Sequence, residues 1–126
     1  MLVVARERRA AGEAGMVTAE LAVTMPAMVL LLVLLLGALS VASDRIRCGD
    51  AARVTARHLA RGETVAMATG TGGEMAPSGA GIHVTREGRR VTVIVSQPER
   101  ELLGLRFSGC RGQAHAEVEA VDGKGP

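Results

Sequence analysis

The sequence predicts an α+β protein: a long N-terminal helix, first membrane-spanning and then amphipathic, packed on a small three-stranded antiparallel sheet. Three observations predict it. An apolar run from Leu21 to Ala42 is broken only by the polar side chains of Thr24 and Ser40. Helical spacing then carries small apolar residues on to about Arg61. After a stretch rich in Gly, Thr, Ser and Pro, the pattern turns to alternation, the period of a strand with one buried face.

Composition narrows the function. A chain of 126 residues has room for one modest extramembrane domain. Phe107 is its sole aromatic residue, and Trp and Tyr are absent. A core of Ala, Val and Leu is therefore thin, because aromatics supply the largest pieces of buried area. The net charge is +2. With neither a basic surface nor aromatic platforms on which bases could stack, nucleic acid is excluded as a partner class.

The apolar run is the first element. At about 1.5 Å per residue it crosses roughly 30 Å of hydrocarbon as a helix. A buried core helix is the competing reading, but so small a chain has nothing with which to cover such a helix on all sides. Pro26 lacks an N–H, so the carbonyl of Ala22 loses its helical partner and a kink is expected nearby. Gly37 is either a packing notch or a weak point in the helix. Both suit a span with neighbours.

Before the run comes a short polar stretch, MLVVARERRAAGEAG, weakly basic through Arg6, Arg8 and Arg9 against Glu7 and Glu13. Gly15-Met16-Val17-Thr18-Ala19-Glu20 follows. Glu20 stands inside the entry to the span. A carboxylate there is either interfacial, at the level of the headgroups, or functional.

The string from Gly15 through Glu20 into the span resembles the leader junction of type IV pilins and their relatives. GMVTAELAVTMPAMVLLLVLLLGAL, with Arg47-Cys48-Gly49-Asp50-Ala51-Ala52-Arg53 and Ala60-Arg61-Gly62-Glu63 after it, is similar to the TadE-like minor pilins of tight-adherence (Flp-type) pilus systems. The likeness covers residues 12–65 well and the remainder loosely. It implies a prepilin peptidase cut between Gly15 and Met16. It also implies that Glu20 sets assembly register by pairing with the freed amine of a neighbour's Met16. The implied organisation is a leader over 1–15, a transmembrane helix over 16–42, a helix extension over 43–62 and a small extracytoplasmic α+β domain over 63–126. The implied partners are membrane lipid, prepilin peptidase, other pilin subunits and the pilus assembly platform, in a bacterial cell membrane.

Two other readings of the same stretch stand beside it. Ser40-Val41-Ala42 is a small-x-small sequence of the kind signal peptidase cuts, although the apolar run far exceeds the usual h-region. An uncut signal anchor displaying a small accessory or binding domain is the second. Orientation is contested as well. Arg45, Arg47, Arg53, Arg57 and Arg61 follow the span, and a positive-inside count would place them in the cytoplasm. A long translocated domain weakens that rule, and the leader must meet its peptidase, so the N-terminus is expected inside and the C-terminal domain outside.

Past the membrane, Cys48, Ala52, Thr55 and Leu59 share one helical face, and Arg53, Arg57 and Arg61 line another. The arginine row is either a solvated face or a contact with anionic lipid heads or acidic neighbours. Gly62 is placed to stop the helix at C′. Glu63 to Ala68 is expected to add a helical turn or two, and Thr69 to Gly81 to be a loop. Its glycines lack the Gly-Lys-Ser/Thr continuation of a phosphate-binding loop.

Ile82 and Val84 then alternate with His83 and Thr85, and Val91, Val93 and Val95 with Thr92, Ile94 and Ser96. Glu87-Gly88 suits the turn between them, and Pro98 ends the second strand. Leu102, Leu103 and Leu105 are expected as apolar anchors of a short turn. A third strand is expected from Cys110 to Val121.

Cys48 and Cys110 can pair in an oxidising compartment or stay as free thiols. His58, His83 and His115 are expected on exposed faces, without ligand spacing, and no metal site follows from them. Asp44 and Asp50 read as solvated charges. No catalytic constellation, cofactor motif or small-molecule substrate site is legible, and the chain is expected not to be an enzyme.

Overall fold

The computed structural model describes residues 2–119, with side chains from residue 15 onward. Helix α1 runs from Leu2 to Ala60, with Pro26 inside it. The chain divides into two compact units, one ending at Ala38 and one beginning at Leu39.

The first unit is helix alone. Most of its described apolar side chains are exposed: Val23 at 73% and Leu35 at 59% are representative. Thr24 Oγ1 donates to the Glu20 carbonyl at 3.0 Å and stands 3.3 Å from that of Leu21. A hydroxyl that bonds back to its own helix can sit in an apolar medium without an outside partner.

The second unit begins on the same helix. Cys48, Ala51, Ala52, Thr55, Ala56 and Leu59 are buried, while Arg53 and Arg57 stay exposed. The face expected from spacing is the buried one, with Ala51 and Ala56 widening it. Thr55, fully buried, donates its hydroxyl to the Ala51 carbonyl at 2.8 Å. The helix ends in a Schellman arrangement around Gly62, whose φ is 85°. Glu63 N–H donates to His58 O and Gly62 N–H to Leu59 O, which satisfies two otherwise orphaned carbonyls.

Helix α2 spans Val65–Met75. The expected loop from Thr69 to Gly81 is thus helical as far as Met75. Thr64 caps the helix by accepting from Met67 N–H at 3.4 Å. The physical reason for the difference is packing. Ala68 and Gly72, one turn apart, are buried, and a Cβ on Gly72 would strike Thr55 Oγ1 and lie 3.1 Å from the Ala51 carbonyl. Glycine costs a helix about 1 kcal/mol relative to alanine, but here it lets two backbones meet.

The main sheet is antiparallel and three-stranded, with Gly81–Glu87 and Arg111–Glu117 pairing on either side of Arg90–Ser96. Strand β1 is Gly81–Glu87, β2 is Arg90–Ser96 and β5 is Arg111–Glu117. Central β2 buries Val91, Val93 and Val95 in the core, and Ile82, Val84, Ala114, Ala116 and Val118 pack against them. The β1–β2 turn has Gly88 at φ 60°, beside the Glu87–Arg90 pair. The alternation expected over the last strand holds through Glu117; Ala120 and Val121 lie outside the described residues.

Between β2 and β5 sits a two-stranded hairpin of β3 (Arg100–Leu102) and β4 (Leu105–Phe107). Leu102, Leu103 and Leu105 do not anchor it. They are 59%, 81% and 37% exposed. The core is made instead by the β2 valines and the small face of α1, and none of the three leucines belongs to it.

These contacts predict opposite responses from glycines in one helix. Gly72→Val is expected to destabilise the unit by about 1–3 kcal/mol through overpacking. Gly70→Ala, with nothing within 4 Å of the new Cβ, is expected to stabilise it by about 0.5–1 kcal/mol. Thermal unfolding of the full chain in detergent, followed by circular dichroism, measures both.

Candidate functional site

The candidate site begins where helix and apolar run coincide. Gly15–Ala60 contains the one helix, among the described residues, long and apolar enough to cross a membrane. Gly15, Met16 and Glu20 lie on α1 and are exposed, Met16 at 76%. Glu20 forms no ion pair among the described residues. A helix rise of 1.5 Å sets Glu20 about 6 Å along the axis from Met16.

In the second unit, Cys48 and Cys110 are joined by a disulfide, with Cα atoms 6.2 Å apart. That spacing falls in the ordinary range for a bridge. Helix and strand approach closely here. A Cβ on Gly112 would collide with the Cys48 carbonyl and come within 2.6 Å of Gly49 N. Gln97 supports the strand end: its N–H donates to the Cys110 carbonyl at 2.9 Å, and its Nε2 donates to the Ser78 carbonyl at 2.7 Å.

Sequence reasoning missed a second tie. Arg100 Nη2 donates to Asp44 Oδ2. The Asp44 side chain is 13% exposed and that of Arg100 48%, so Asp44 is not a freely solvated charge. The two residues are 56 apart in the chain, and a single sequence carries no signal for such a pair beyond Asp44 being the first charge after the apolar run.

His58 also departs from expectation. It is half-buried, with Nδ1 2.7 Å from Glu63 Oε2, because the cap at Gly62 turns Glu63 back over the helix. His83 and His115 are exposed. His115 Nδ1 lies 3.0 Å from Thr92 Oγ1 on the adjoining strand. Among the described residues, no three His, Cys, Asp or Glu side chains gather as metal ligands would.

Comparison with known proteins agrees with the first part of this geometry. Residues 15–57 match the family model for TadE-like protein, a segment that includes Gly15, Met16, Glu20 and Cys48. A Mycobacterium tuberculosis protein named "Apoptosis inhibitor Rv3655c" is 40% identical over 77 residues. That match covers 61% of this chain and 61% of the relative, so the chain spans about three-fifths of its relative's length. No solved structure matches.

The bridge makes a measurable contribution. With its cysteines 62 positions apart in the chain, it is expected to stabilise the unit by roughly 4 kcal/mol through restriction of the unfolded chain. Mass spectra of the purified protein before and after reduction should differ by two hydrogen atoms. A Cys48→Ser/Cys110→Ser variant should unfold at a markedly lower temperature.

Proposed function

We propose that this chain is a structural, non-catalytic TadE-like subunit of a tight-adherence (Flp-type) pilus system. It is made as a precursor, cut by a prepilin peptidase after Gly15 and held in the bacterial membrane by residues 16–42. Its N-terminus is cytoplasmic and its C-terminal unit extracytoplasmic. It assembles with other pilin subunits and the assembly platform through its apolar helix.

One observation carries the reading. A glycine, four residues and a glutamate stand at the mouth of an exposed apolar helix, within the segment that matches the TadE-like family. Cutting after Gly15 frees an amine on Met16. A neighbour shifted by about one helical turn, roughly 6 Å, brings its Met16 amine level with this chain's Glu20. In a medium of low dielectric that pair is strongly favoured, and either charge alone is costly. The same cost makes other registers unfavourable. The apolar surface of the helix supplies the packing, and Glu20 selects one arrangement of it.

Sequencing the N-terminus of the membrane-extracted protein tests the proposal. A mature chain beginning at Met16 is expected; one beginning at Met1 or Ser43 ends it. Gly15→Ala should accumulate as uncut precursor. Glu20→Ala should be cut normally yet fail to assemble. Removing one partner of a buried pair costs about 3–5 kcal/mol, so co-purification with other pilin subunits should fall by two orders of magnitude or more.

A further inference from the structure

The β3–β4 hairpin carries an apolar tip that neither the core nor the proposed assembly helix uses. Leu102 pairs with Leu105, and Arg100 with Phe107, on one face of the ribbon; Glu101 and Arg106 pair on the other. Leu103, at the turn, is 81% exposed and has a φ of 53°. A branched side chain is disfavoured in that left-handed conformation, which asparagine or glycine takes readily. The turn therefore holds a strained leucine in the open, where it contributes nothing to packing. Strain retained at an exposed position points to a role outside the fold.

Contacts along one face of α1 give the ribbon its direction. The strand end at Cys110 is bonded to Cys48. Arg100 is bonded to Asp44, which lies one turn, about 6 Å, nearer the apolar run. The chain thus passes from the level of Cys48 to that of Asp44. Leu102 and Leu103 follow Arg100 by two and three residues, so at about 3.3 Å each they lie within roughly 7–10 Å of it. Asp44 is the first charged residue after Ala42 and marks where the helix leaves hydrocarbon. Val41, on the face of Asp44 and Cys48, is half-buried, whereas Leu39 is 67% exposed.

We infer that this hairpin is a lipid-interface anchor, in which Leu102, Leu103 and Leu105 enter the headgroup–acyl boundary of the bilayer that the chain's own helix crosses. The inference rests on the reading of residues 16–42 as a membrane span. Apolar side chains lower their free energy at that boundary. Arginine side chains keep their guanidinium among the phosphates while their stems lie along apolar surface. Arg45 and Arg47, one and three residues past Asp44 on the helix, supply that charge, while Arg106 on the ribbon is bonded to Glu99. A bilayer is favoured as the occupant because the tip is placed at its surface by covalent and ionic ties within the same unit.

The chain has no Trp or Tyr, so one introduced tryptophan is the only such reporter. Full-length Leu103→Trp, Leu34→Trp and Thr71→Trp proteins are reconstituted in phosphatidylcholine–phosphatidylglycerol vesicles, with lipids brominated near the headgroup or near the bilayer centre. Leu103→Trp is expected to emit at shorter wavelength than Thr71→Trp and to lose most of its emission to the shallow bromines. Leu34→Trp should be quenched by the deep ones. If Leu103→Trp stays unshifted and unquenched while Leu34→Trp is quenched, the anchor is overturned and the span stands. If Leu34→Trp is also unquenched, the span fails and takes the anchor with it. A shifted Leu103→Trp that no brominated lipid quenches places the tip against protein and overturns the lipid assignment. Leu103→Asn, which suits the turn, should keep or raise the unfolding temperature and yet reduce quenching of a Leu105→Trp reporter; unchanged quenching overturns the role of Leu103.

Discussion

The extramembrane unit depends on close approach of backbones. A chain with one phenylalanine and no tryptophan or tyrosine cannot fill a core with large side chains. It brings its elements together instead. Ala51 and Ala52 are fully buried on α1, and Gly72 of α2 and Gly112 of β5 lie where any Cβ would strike the facing helix. Dispersion falls steeply with distance, so small residues in tight contact recover part of what bulky ones would have supplied. The arrangement has little slack: Gly112 faces the Cys48–Gly49 backbone, which cannot rotate away, and Gly72 faces the buried Thr55 hydroxyl and the Ala51 carbonyl.

That closeness positions everything else in the unit. Gly112 lets β5 approach the Cys48 turn of α1, and Cys110, two residues earlier, is bonded there. Because β3 and β4 are inserted between β2 and β5, the same anchorage fixes the root of the hairpin. Arg100 then reaches Asp44. Such a partly exposed ion pair contributes little to stability, but it fixes the ribbon's placement. One feature of a thin core thus determines the bridge, the hairpin and its level on the helix.

The apolar helix follows a different logic. In the single chain most of its described leucines and valines are exposed, as they would be on a helix covered by lipid or by other apolar helices. Thr24 satisfies its own hydroxyl on the helix backbone, and Glu20 forms no ion pair among the described residues. In the proposed pilus subunit, the same surface that holds the chain in the membrane is the surface that packs in assembly. The acidic group restricts how.

The sequence by itself determined the periodic elements: the span, the α1 face of Cys48, Ala52, Thr55 and Leu59, the helix stop at Gly62, and the alternation that buries Val91, Val93 and Val95. Each is a local pattern whose period is the geometry of the backbone, so it can be read without neighbours. The string from Gly15 to Glu20 has no such period and was legible only as a resemblance to the leader junction of type IV pilins. Only the tertiary structure decided that the glycine-rich residues of α2 are helical, that Leu102, Leu103 and Leu105 face outward, that His58 meets Glu63, and that Asp44 meets Arg100. These depend on what lies opposite. Glycine reads as a loop residue until a helix stands close enough to exclude a side chain, and a leucine reads as core until the core forms without it. A carboxylate, likewise, reads as solvated until folding brings a guanidinium to it from a distant part of the chain.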